Sequence, residues 1–523
     1  MSEPNYPRDP RDPRDPRDPR DPRDTRDPRD PRDTRDPRQS RYDEDATQEG
    51  TSRSVGINTI GNAYTDDAES RLSISPSLQS YREEVSQYMV KRESSTYRYY
   101  PGTETSEFDY MDERRELNNT NLLESIAHVI KGSLGAGVLS MHEAYMYGGL
   151  WASLVSTFII GFILYNAMAM LGKSAHTMYR RLKISKLSYP DLAEVTLATG
   201  PFRSFRRHSK VFRYTVDSSI FLFMCGTCCV YQIMIAHTLK NVVEGLPAEF
   251  QMEYVNSIRL YILAASPILL LLCMIRSLKF LAPFSMLADI FIALSVLTTL
   301  YYSMRSVSNI RHRPVWKDMR GFVRFCGICL YCTSGVPVAL PIENNMRKPR
   351  YFRTALRWGM LIVIILVSLT GFFGYWGWGE ECRSPITVHM PIDQFTTVLQ
   401  CLLMMMLCTT FAVTFWVPFR IIWFYIGRQH KRKLVLWERF YRVIMAIIVT
   451  GVSLLFPNLI PIMVFLGHFF LGFIAFVFPA FIELLITWND KHSWRVRCTC
   501  FKDFFIIIFG LLLSGSAFYP SMR

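Results

Sequence analysis

Lys131-Gly132-Ser133-Leu134-Gly135-Ala136-Gly137-Val138-Leu139 places three glycines inside a hydrophobic run long enough to cross a membrane. In a helix interior each glycine costs about 1 kcal/mol relative to alanine, and in hydrocarbon any backbone group released from the helix needs another partner. An unwound spot is tolerated where it lines a polar cavity or meets a substrate. The stretch therefore reads as a broken membrane helix at a binding site.

A second break lies at Thr333-Ser334-Gly335-Val336-Pro337, where proline removes an intrahelical bond and the small residues before it allow backbone approach. Two interrupted helices at corresponding positions of two five-helix halves point to an inverted-repeat transporter with its site at the bilayer midplane. In that geometry the amides of Gly135, Ala136 and Gly137, flanked by Ser133 and Leu134, receive a substrate carboxylate at a half-helix N-terminus. Unwound carbonyls from Thr333 through Ser334 to Gly335 receive an ammonium. A zwitterionic amino acid satisfies both ends.

Of 523 residues, 49% are hydrophobic, yet the mean hydropathy is only +0.10. That average hides a polar segment, 1–115, followed by apolar runs of spanning length over 116–523. About eleven spans are expected, near residues 122–146, 149–171, 214–238, 257–275, 281–303, 321–342, 355–377, 396–418, 440–457, 459–487 and 503–520. The fold class is an all-α membrane protein with helices 1 and 6 broken in a 5+5 repeat. The start MSEPNYPRDP has no apolar core, so no secretory signal peptide is expected.

Lys and Arg concentrate on the cytoplasmic side of short loops. The loop after span two, with ten basic residues from Lys173 to Arg213, belongs inside by that rule. So do Arg347 to Arg353, Arg428 to Lys433 and Lys491 to Arg497, whereas Glu244, Glu249, Glu253, Glu380 and Glu381 mark the other face. One loop dissents, with Arg305, Arg311, Arg313, Lys317 and Arg320 on the outer side. The majority places the N-terminus in the cytoplasm and the C-terminus outside or in a lumen, in a plasma membrane or a lysosomal or vacuolar one. The net charge of +14 is then a topology signal, and no nucleic-acid partner is expected.

From Pro7 to Arg38 the tail repeats Pro-Arg-Asp, with Thr25 and Thr34 in proline positions. Frequent loss of a backbone donor and locally cancelling charge favour a disordered, semi-extended tail, open to a cytoplasmic partner. Cysteines mostly fall in spans. Cys225-Gly226-Thr227-Cys228 has the CxxC spacing, but its apolar setting argues against redox or zinc chemistry, and no metal or cofactor is expected. Cys498 and Cys500, in a basic inner loop, suit palmitoylation.

His128 and Lys131 share one helix face a turn before the first break. Two roles are open to His128, proton transmission or a neutral hydrogen bond to a neighbouring helix.

These residues carry a family resemblance. The segment from His128 to Gly137 resembles the His-Leu-Leu-Lys-Gly-Asn-Ile-Gly-Thr-Gly motif of the proton-coupled amino acid transporters in the amino acid/auxin permease family. Leu340-Pro341-Ile342-Glu343-Asn344-Asn345-Met346-Arg347-Lys348-Pro349-Arg350 resembles that family's Leu-Pro-Leu-Glu-Asn-Lys-Met-Lys-Asp-Pro-Arg stretch, and Val216-Asp217 and Cys228-Cys229-Val230-Tyr231 continue the match. The similarity runs from about Leu122 onward. It implies an eleven-helix permease for small neutral amino acids and protons, with proton coupling at the residue matching His128. Three departures stand out. Thr333-Ser334-Gly335 replaces the family's Phe-Glu-Gly. Met141-His142, followed by Glu143, replaces Leu-Pro. Asp289 stands in span five where the family tends to asparagine. His142 and Glu143 restore a proton path or face the outer vestibule, and Asp289 is a buried proton carrier or a paired structural acid, so Asp289 and Glu143 join His128 as proton-coupling candidates. The expected function is proton-coupled secondary transport by alternating access, the alternative a sensor signalling through cytoplasmic partners with little flux. No enzyme is expected, since no nucleotide loop or activated nucleophile is present.

Overall fold

The computed structural model describes residues 120–182, 186–244, 257–275, 313–389, 393–430, 433–488 and 494–518, with most of 291–305. The Pro-Arg-Asp tail, Asp289 and much of the fifth expected span lie outside these residues.

The chain folds into α-helices, which in hydrocarbon satisfy every backbone group within one segment. The first span is split into α1 (Leu122–Ser133) and α2 (Met141–Gly148), separated by a 3₁₀ turn, Ala136–Ser140. The halves are bent by 45°. At the start of α1, Asn121 N–H donates to the Glu124 carboxylate at 2.9 Å, which occupies one of the donors that a helix N-terminus leaves open. Then follow α3 (Leu150–Leu182), α4 (Tyr189–Thr199), α5 (Ser209–Glu244) and α6 (Ile258–Cys273). The sixth span is split into α7 (Met319–Thr333) and α8 (Val336–Asn345). After it come α9 (Phe352–Trp378), α10 (Gln394–Ile426) and α11 (Leu434–Leu455). The tenth expected span starts as α12 (Leu459–Phe465), passes through π-helical Leu466–Phe470 and Gly472–Val477, and ends as α13 (Phe478–Thr487); α14 (Trp494–Ser516) completes the set.

Seven of the described helices are long and apolar enough to cross a membrane, and the bent α1–α2 pair makes an eighth. Their apolar residues divide between two environments. Leu139, Leu164, Leu171, Val363 and Phe415 are fully buried, whereas Phe158, Phe162, Leu263, Leu271, Phe504 and Leu512 face outward, as lipid contact demands.

Helix α9 packs on α1, α2 and α3, and α10 packs on α5. Small residues set the first group's spacing. A Cβ on Gly359 would stand 2.6 Å from Val129 Cγ1, and one on Gly371 2.4 Å from the Tyr145 ring, so α9 approaches both halves of the broken span.

The segment after the second span is more than a charged loop. Ser188 Oγ accepts from Asp191 N–H at 3.4 Å and Pro190 opens the first turn, so α4 begins with a cap and a residue whose missing N–H costs nothing there. Its buried Asp191 and Glu194 both bind Arg213 of α5. Ten of its residues are buried. The acids and apolar residues between the basic clusters form a packed helix.

Candidate functional site

The break in the first span falls where α1 ends. Leu134 leaves helical geometry at φ −88°, ψ 80°, Gly135 is extended at φ −78°, ψ −176°, and the chain re-enters as a 3₁₀ turn. The first amides of such a turn, Gly135 to Gly137, have no acceptor earlier in their own helix. In the sixth span Thr333 is the last helical residue, and its Oγ1 donates to Cys329 O at 2.7 Å. Ser334 is extended at φ −87°, ψ 106°, and Gly335 starts α8 with Pro337 in its first turn.

These two breaks meet. A Cβ on Gly335 would stand 2.1 Å from Ser133 Oγ and 3.3 Å from Ser133 Cβ. A Cβ on Gly137 would stand 2.6 Å from Cys332 Sγ and 3.2 Å from Cys332 Cα. At Gly137 a side chain would run into the backbone of Cys332, and at Gly335 it would run into the side chain of Ser133. Ser133, Leu134, Gly135, Ala136 and Gly137 are thereby brought against Thr333, Ser334 and Gly335, which are distant in sequence.

Ser133, at 2% exposure, and Ser334, at 8%, have hydroxyls with no hydrogen-bond partner among the described residues. A buried hydroxyl without a partner costs about 1–3 kcal/mol. Two of them at the point where both helices unwind are donors and acceptors held ready for a small polar guest. Tyr231 of α5 brings its Oη to 3.5 Å from the Cβ position of Gly135, and Met168 Sδ of α3 lies 3.4 Å from that of Gly335. Tyr331, buried beside the second break, packs its ring 6.3 Å from Phe223. Tyr331 and Met168 escape motif reasoning, whereas Tyr231 closes the Cys228 to Tyr231 match without a role read from it. The only signal for Tyr331 is an aromatic two residues before a break, and Met168 has none.

Two of the expected proton carriers, His128 and Glu143, are described, and neither is among the residues that meet at the crossing. His128 is exposed on α1, whose buried stripe is Ser125, Val129 and Ser133. Glu143, on α2, is 9% exposed and accepts from Ser384 N–H at 2.7 Å and from Tyr147 O–H at 3.0 Å. On α8, Glu343 is fully buried and accepts from Tyr179 O–H at 2.8 Å, with His176 Nε2 at 2.9 Å. It ties α8 to α3. Among the described residues no group of three or more His, Cys, Asp or Glu could hold a metal ion.

A bundle of membrane-spanning helices, two of them unwound where they meet, has the architecture of a membrane transporter. Comparison with known proteins gives the family. Residues 118–523 match the family model described as transmembrane amino acid transporter protein, and the chain belongs to that family. It is a multi-pass integral membrane protein of amino acid transport and no enzyme. It is 28% identical over 398 residues to the Drosophila melanogaster proton-coupled amino acid transporter-like protein pathetic, covering 74% of this chain and 83% of that one. With the Caenorhabditis elegans probable amino acid transporter skat-1 it shares 23% over 410 residues, covering 75% and 87%. Among solved structures it is similar to Mhp1, a nucleobase-cation-symport-1 family transporter in a closed conformation with bromovinylhydantoin bound. There the TM-score is 0.45 at 12% identity, covering 76% of this chain and 91% of that one.

Proposed function

We propose that the protein carries small neutral amino acids together with protons, by alternating access around the crossing of its two broken helices. The observation that carries this is the meeting of Ser133 with Gly335 and Ser334 where both helices have unwound, with two buried hydroxyls left unpartnered. An α-carboxylate binds the amides from Gly135 to Gly137, at the positive end of a short helix, and an α-ammonium binds the freed carbonyls of Thr333 to Gly335. Cys332, Tyr331 and Met168 crowd the glycines of the crossing, which favours a substrate with a small side chain. The name of the pathetic protein supports proton coupling, as does the match at His128, with Glu143 and Asp289 as further carriers. We place the N-terminus in the cytoplasm, the C-terminus on the opposite face, and residues 1–115 as a separate cytoplasmic tail.

Radiolabelled alanine, glycine and proline flux into proteoliposomes, with and without an imposed pH gradient, tests this. Uptake that rises with the inward proton gradient supports symport; gradient-independent uptake makes the protein a facilitator. Ser334, where the family has a carboxylate, favours a second reading: an amino acid sensor that binds without flux. Substrate binding by folded protein that shows no uptake would select it.

A further inference from the structure

The residues replacing the family's Leu-Pro grip the segment that follows α9. Glu143 accepts the Ser384 N–H at 2.7 Å. His142, fully buried on the same helix, lies with Nε2 3.0 Å from Arg383 O. A carbonyl can only accept, so His142 donates and carries its proton on Nε2. On the other side of the same residue, the Arg383 N–H donates to His389 Nε2 at 2.9 Å. That bond requires a lone pair on His389. One residue of the segment is therefore held by two imidazoles in opposite roles. The rings also touch: His389 stacks on Trp378 at 4.9 Å and meets His142 edge-on at 5.4 Å. Within the segment, Cys382 and Ile386 are buried.

We propose that residues 382–389 form a lid over the α2 half of the broken first span, latched by His142, Glu143 and His389, and that protonation of His389 unlatches it. An imidazolium bears N–H on both nitrogens, so the Arg383 N–H would face another donor and lose its acceptor. At His142, Nδ1 keeps its lone pair in this tautomer and is buried without a hydrogen-bond partner. Burial opposes the charged form of His389, the Arg383 backbone and the Glu381 carboxylate favour it, and the Arg383 guanidinium opposes it, while His142 and Glu143 face the segment from α2. Helix α5 also borders the segment and carries His237, Lys240 and Glu244 in its last turns. Glu380, at the end of α9, is engaged by Lys317 and by Tyr375 O–H.

Burial holds His389 below the ordinary imidazole range in the latched form. A group whose pKa is depressed in the closed state stabilises closure fully above its open-state value, about 6.5 for imidazole, and loses that stabilisation as pH falls. The lid is latched at neutral pH and opens in acid. Its role in admitting substrate with protons rests on the symport reading; the latch itself does not.

The test is site-resolved alkylation of Cys382 by N-ethylmaleimide in the full-length chain in lipid nanodiscs, read by peptide mass spectrometry at about pH 7.5 and about pH 5.5, on either side of the imidazole range. Because the thiolate is the reacting species, each rate is normalised to denatured protein at the same pH. Normalised labelling should rise about tenfold in acid, the change one pKa unit of coupling supports. In His389→Gln, whose side-chain carbonyl accepts the Arg383 N–H and does not titrate, it should stay low at both values. In His389→Ala it should be high at both. Equal labelling of the wild type at the two pH values, or an unchanged acid response in His389→Gln, overturns the proposal. A pH-responsive lid with gradient-independent uptake would instead sink the symport reading and leave the lid standing.

Discussion

At the scale of single residues, two hydroxyls and two glycines carry the proposed transport site. If Ser133 and Ser334 meet substrate, replacing either with alanine removes a hydrogen bond worth about 0.5–1.5 kcal/mol, which raises KM for alanine uptake by roughly threefold to tenfold. A purely structural role predicts the reverse pattern: unchanged KM and a slightly higher unfolding temperature, because each mutation deletes a buried unpartnered group. Kinetics and thermal unfolding on the same preparations separate the two. Gly335→Ala thrusts a methyl onto Ser133, with Ser133 Cβ still at 3.3 Å after its hydroxyl rotates away. Overpacking of this kind costs about 1–3 kcal/mol, so uptake should fall at least tenfold. The double variant Ser133→Gly/Gly335→Ala should recover part of it, and additive losses would mean that the two residues are not coupled as described. The crossing itself was legible, because glycine and proline weaken a helix that hydrocarbon otherwise enforces, and a chain keeps them there where backbones must unwind or pass closely. Met168 was not, and Tyr231 showed only as part of a motif with no role, since their place at the breaks is set by how α3 and α5 pack.

At the scale of elements, hydrophobic run length located most spans, because hydrocarbon imposes a minimum length that the sequence must show. It could not show that residues 459–487 pass through two π-helical stretches. Those follow from tertiary contact: a Cβ on Gly467 would stand 1.9 Å from Gly327 O, and His468 Nε2 lies 3.0 Å from Val323 O of α7. Helix α4 was hidden for a different reason, since its acids sit among basic residues and pair with Arg213 only once α5 is in place. The Leu340 to Arg350 motif was recognised without a role, and the structure supplies one in the buried contacts of Glu343 with Tyr179 and His176. Glu343→Ala leaves those donors facing an empty site. Leaving a buried polar group without its partner costs about 1–3 kcal/mol, so this variant should lose several degrees of thermal stability in detergent and part of its surface expression. Unfolding at the wild-type temperature would show that the α3–α8 tie contributes little.

At the scale of the whole molecule, one loop opposed the charge pattern that orients the chain. The structure accounts for two of its cations. Lys317 pairs with Glu380, and Arg313 donates to Trp376 O at 3.2 Å while lying 5.8 Å from the Tyr375 ring centre. Both are engaged with the end of α9, so they serve to hold that end in place. The positive-inside rule is a bias summed over short loops, and the runs after α3, α8 and α10 together outnumber this one. With those runs in the cytoplasm, the start of α14 is cytoplasmic too. Cys498, exposed at that point, should then resist a membrane-impermeant maleimide in intact cells and react once the membrane is permeabilised. The test assumes that the protein resides at the cell surface, which biotinylation of the same cells establishes. Labelling of Cys498 without permeabilisation would invert the topology. It would put the lid of residues 382–389 on the cytoplasmic face, where its response to acid could not serve uptake driven by external protons.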